Sequence, residues 1–115
     1  MLATASPTLR RLALDVEAAA WLLEAGDPMR GYLELLASLP PEAPAWLEVL
    51  EPWLDDARHG AGPAPAGRSQ IAALGALGVA GLRAARELSG AEPALAAALR
   101  AVARWCFHQV RPSAS

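Results

Sequence analysis

A chain of 115 residues has the size of one domain and is long enough to bury roughly two-thirds of its unfolded surface. Its apolar share of 54% with a net charge of −2 argues against a disordered chain, and its longest uncharged run, the 14 residues from 69 to 82, falls short of the ~20 that span a bilayer. Charge divides along the chain: through Arg58 ten acidic residues face four arginines, and from His59 onward six arginines face two glutamates. That asymmetry bears on association rather than on fold or reaction.

The first helix is expected to open at Ser6-Pro7, an N-cap followed by proline at the first helical position, and to end at Gly26. A helical period places Leu9, Leu12, Val16, Ala20 and Leu23 on its core face. Leu14 and Trp21, with Leu22 close by, stand on nearly the opposite side. Such a pair is either covered by a neighbouring helix or is where a partner docks, because tryptophan is enriched at binding hot spots.

Asp27-Pro28 repeats the cap device and starts a second helix, which Leu39-Pro40-Pro41 stops near Ser38. The third is expected to run from Pro44 to His59-Gly60, with Pro52 kinking or dividing it between Leu50 and Trp53. Trp46, Val49, Leu50, Trp53 and Ala57 share its apolar face, and Glu48, Glu51 and Asp55 form an acidic stripe opposite.

Residues 60–67 read as a Pro/Gly/Ala linker that separates an acidic three-helix half from a basic two-helix half of one domain. The fourth helix, from about residue 68 to Leu88, is uncharged and apolar nearly all round over residues 71–82, as a helix surrounded by the others would be. Gly75, Gly78 and Gly81 recur every three residues on one side of it. Each costs about 1 kcal/mol of helix propensity relative to alanine. A close helix crossing would offset that cost, or a small apolar ligand lying on the bare backbone.

Pro93 starts the fifth helix, which runs to Arg111-Pro112. Leu95, Leu99, Val102, Cys106 and Val110 make its core stripe, while Arg100, Arg104 and Arg111 share the opposite side with Phe107 and His108 at the flank. That side reads as a solvated face or a surface for polyanions, Phe107 offering a ring on which a base could stack. The expected fold is therefore all-α: a compact bundle of four to five helices with the glycine-rich helix at its centre.

Catalytic chemistry finds little support. Cys106 is the single cysteine, so no intramolecular disulfide forms, and its place in an apolar stripe raises its pKa. Nothing sets a carboxylate or nucleophile beside His59 or His108; Asp55 and Asp56 with His59 read as a helix end rather than a metal site. No cofactor or metal is expected. No phosphate-loop or dinucleotide pattern appears, and the 71–88 segment has the wrong spacing for a DNA-reading helix-turn-helix. The N-terminus carries no basic region ahead of an apolar core, so a cytoplasmic chain is expected. The favoured function is a non-catalytic protein–protein interaction module or accessory subunit, self-associating or bound to another protein, through Leu14, Trp21, Leu22 and the Glu48, Glu51, Asp55 stripe. The alternatives are a small helical subunit that binds nucleic acid or another polyanion through Arg100, Arg104, Arg111 and Phe107, and a bundle that binds a small apolar ligand near Gly75, Gly78 and Gly81.

Overall fold

The computed structural model describes residues 5–58 and 67–110, with side chains over 7–56 and 67–110. Five helices follow in order, α1 Ala5–Trp21, α2 Pro28–Ala37, α3 Ala43–Arg58, α4 Arg68–Leu88 and α5 Pro93–Val110, and no strand occurs among the described residues. The fold is an all-α bundle. Most of the linker, together with His59, Ala57's side chain and Arg111, lies outside the described residues.

The proline starts at Pro28 and Pro93 fall at the first residues of α2 and α5. Asp27 is the N-cap of α2: its Oδ1 accepts from the Met29 backbone N–H at 2.9 Å, satisfying one of the helix's orphan donors. Its other carboxylate oxygen accepts from Gln70 Nε2 at 2.8 Å, which ties the start of α2 to the first turn of α4. Three features differ from expectation. α1 already includes Ala5 and Ser6, so Ser6 lies inside the helix rather than capping it ahead of Pro7. α1 ends at Trp21 rather than Gly26, and the chain leaves it through tight turns in which Leu22 and Leu23 donate to Ala19 and Ala20. Of the kink or division expected at Pro52, the division does not occur: α3 runs through it as one helix.

α4 packs most extensively against α5 and next against α1; α2 rests on α1, and α3 on α5. Leu12 and Val16 of α1, Leu36 of α2, Trp46, Leu50 and Trp53 of α3, Leu77 and Gly81 of α4, and Leu99 and Val102 of α5 converge on one core. The gap left between them is about 10 Å³, no more than a water's space. The predicted α1 stripe, Leu9, Leu12, Val16, Ala20 and Leu23, is buried throughout, and Ala19 joins it.

Aromatic contacts close the α2–α3–α5 side. Trp53 meets Tyr32 and Trp105 edge-to-face, with centroids at 5.2 and 5.3 Å. Tyr32 Oη donates to the Val49 carbonyl at 3.2 Å, and Trp46 Nε1 donates to the Pro40 carbonyl at 3.0 Å, so each buried ring has a partner for its polar end. Burial pushes the Tyr32 phenol up to about 12.

α4 is not enclosed on every side. Two neighbours cover it and leave a third face open, with Ile71, Val79 and Leu82 exposed. The all-round apolar character of residues 71–82 therefore does not report all-round burial.

Candidate functional site

On α1 the side opposite the buried stripe carries Leu14, 66% exposed, and Trp21, 69% exposed, with Leu22 exposed just past the helix end. Neither α2 nor α3 covers them. The Arg30 guanidinium lies over the Trp21 ring at 4.8 Å from its centroid, donates from Nη1 to the Leu23 carbonyl at 3.4 Å and stands 3.6 Å from Glu34. A cation over one face at an exposed site contributes only about 0.5–1 kcal/mol. It holds the ring in position without burying it.

The acidic stripe of α3 is one wall of an open groove of about 700 Å³ between α3 and α5. Glu48, Glu51 and Asp55 stand on that wall with Leu47, Pro52 and Leu54; Ala94, Ala97, Ala98 and Ala101 make the opposite wall. The carboxyl-bearing residues are exposed and the groove is otherwise apolar. Proline has no N–H, so the Glu48 carbonyl, four residues before Pro52 on the same wall, lacks its regular helical donor. Sequence reasoning found the carboxylates and missed the alanine wall. Its spacing at 94, 97, 98 and 101 is one helix stripe, but small side chains read as neutral surface until α3 is known to lie alongside.

Arg100 and Arg104 are exposed on α5, while Arg111 lies outside the described residues. Phe107 does not stand free beside them as a stacking platform. Its ring covers Gly78 of α4, where a Cβ would come within 2.9 Å of ring atoms Cε1 and Cζ. Gly81 serves the same crossing, its missing Cβ position lying 3.4 Å from the Leu99 carbonyl oxygen and 3.7 Å from Ala103 Cβ. Gly75 is different. A Cβ there would meet nothing within 4 Å, so packing among the described residues explains Gly78 and Gly81 but not Gly75.

Cys106 is fully buried and its thiol is pushed up to about 12 by burial, which makes it a core side chain rather than a nucleophile. His108 is exposed. Among the described residues no group of three or more His, Cys, Asp or Glu side chains is placed to hold a metal ion. No described helix is long and apolar enough to cross a membrane. No family model, curated protein or solved structure matches the chain. The geometry presents surfaces: a projecting tryptophan and leucine, an acid-edged groove, and an apolar face on α4.

Proposed function

We propose that this chain is a non-catalytic protein–protein interaction module, acting in the cytoplasm as an accessory or self-associating subunit. The observation that carries the reading is the exposure of Leu14 and Trp21 on the face of α1 opposite a buried stripe that already supplies that helix's share of the core. Two large apolar side chains seven residues apart on one helix face lower solubility unless another molecule covers them. A central tryptophan anchor contributes about 2 kcal/mol or more to an interface.

The test is the double variant Leu14→Ala/Trp21→Ala. It is expected to keep its helicity and cooperative unfolding, because neither side chain belongs to the core, and to lose capture of partner in pull-down from the host with identification by mass spectrometry. A folded variant that captures the same proteins as strongly as wild type would remove this surface from the function.

A further inference from the structure

The α4 face and the α3–α5 groove have features that nothing among the described residues accounts for, and they complement each other. Ile71, Gly75, Val79 and Leu82 fall at i, i+4, i+8 and i+11, one side of a helix, and the three large residues among them are between 41 and 50% exposed. Gly75 lies within this ridge with open space where a Cβ would be. Gly78 and Gly81 admit α5, but Gly75 carries the same helix-propensity cost of about 1 kcal/mol with no contact among the described residues to offset it. A bare position on an exposed apolar ridge is where a second backbone can approach closely. Arg68 and Arg86, both exposed, stand at the two ends of the ridge, and no charged residue lies between Arg68 and Arg83.

The groove has the opposite shape and the opposite charge. It is concave where the ridge is convex, walled by alanines that permit close approach, and edged on α3 by Glu48 and Glu51. The Glu48 carbonyl adds an acceptor on that edge suited to a guanidinium N–H. Arg104, exposed and about 20° round α5 from Ala97 at ~100° per residue, lies two turns further along the helix and does not line the groove. Two copies of the groove facing each other would enclose a void, and two copies of the ridge would bring like charges together.

We propose that the α4 ridge of one copy seats in the α3–α5 groove of the next, so that the acidic first half of one chain meets the basic second half of another. This rests on the reading of the chain as an interaction module and names its partner as a second copy. The contact is heterologous: each copy keeps a free ridge and a free groove, and assembly proceeds to a closed ring or an open chain rather than stopping at a symmetric dimer.

The experiment is charge exchange followed by light scattering over a dilution series. Wild type is expected to grow in mass with concentration. Glu48→Arg/Glu51→Arg and Arg68→Glu/Arg86→Glu, each of which alters exposed residues only, are expected to weaken assembly about 10-fold or more while unfolding like wild type. An equimolar mixture of the two is expected to recover assembly, because every reversed groove then finds a reversed ridge and every native groove a native ridge. Gly75→Ala gives a readout independent of charge: the added Cβ meets nothing within 4 Å among the described residues of the monomer, which stays folded, but it obstructs close approach and weakens the assembly. A wild type that stays monomeric to millimolar concentration overturns the proposal, as do folded reversals that assemble normally or a mixture that does not recover. Its failure is separable from that of the broader reading. A chain that is monomeric alone but captures a host protein through Leu14 and Trp21 sinks the ridge-in-groove contact and leaves the interaction module standing.

Discussion

Gly75 and Gly78 are three residues apart on one helix and are expected to respond oppositely to added volume. At Gly78 a side chain must displace the Phe107 ring, already within 2.9 Å of the first added carbon. Gly78→Leu should therefore cost about 1–3 kcal/mol or more through overpacking at the α4–α5 crossing. Gly75→Ala enters open space and should stabilise the monomer by up to about 1 kcal/mol through helix propensity alone. Urea unfolding of the two variants checks both signs, and equal midpoints would mean that Phe107 does not depend on the bare backbone beneath it. Cys106 and Tyr32 give a second prediction, in alkali. Burial raises the Cys106 thiol from 9.0 to about 12 and the Tyr32 phenol from 10.0 to about 12, so each loses its proton more readily in the unfolded chain. Their stabilising contribution is complete below the unfolded values and falls as pH rises from about 9 towards about 12. Cys106→Ala should move the onset of alkaline destabilisation up to the Tyr32 range near 10.0, measured by melting temperature against pH. An unchanged onset would mean that the thiol does not contribute to it. The same burial predicts that a thiol reagent labels Cys106 only on unfolding.

The joint between α2 and α4 makes a prediction at the scale of elements, since one carboxylate serves two of them. Asp27 caps α2 through Met29 and holds Gln70 at 2.8 Å, so Asp27→Ala should cost more than the ~1 kcal/mol of an ordinary N-cap. In a double-mutant cycle with Gln70→Ala the two changes should couple by about 0.5 kcal/mol or more; strict additivity would show that the cross-helix hydrogen bond adds nothing. The cap itself was legible in the sequence as Asp27-Pro28, because capping is local chemistry. The second role was not, because Gln70 lies 43 residues away and no local pattern announces it. Of the two outcomes expected at Pro52, a kink or a division, the division does not occur, for the converse reason. Pro52 and Glu48 lie on the exposed side of α3, where water can replace the missing hydrogen bond, while Trp46, Leu50 and Trp53 pack on the other side and hold the helix together. Tertiary packing outweighed a local break.

At the scale of the whole molecule, periodicity identified which faces of each helix are apolar but not which face meets which neighbour. The α1 stripe could be read directly, yet the groove could not, because its walls come from α3 and α5 on opposite sides of the Pro/Gly/Ala segment. The same blindness explains α4. A helix apolar on all sides fits both full burial and a core helix with one face left exposed, and only the positions of α1 and α5 decide between them. Those positions also bring helices from the acidic and basic halves of the sequence onto one core. α1 packs on α4, α3 packs on α5, and the central core takes Leu12, Val16, Leu36, Trp46, Leu50 and Trp53 from the first half and Leu77, Gly81, Leu99 and Val102 from the second. Each half alone is expected to leave apolar stripes uncovered. Peptides covering residues 1–58 and 67–115, made separately, are therefore expected to show little helicity and no cooperative unfolding, because short helices without tertiary packing are marginal in water. Mixed, they should recover helical signal and a cooperative transition whose midpoint rises with concentration, because the intact chain's loop closure has become an association step. A cooperative transition in either peptide by itself would mean that the chain holds two domains, and that the charge division marks a domain boundary rather than two sides of one core.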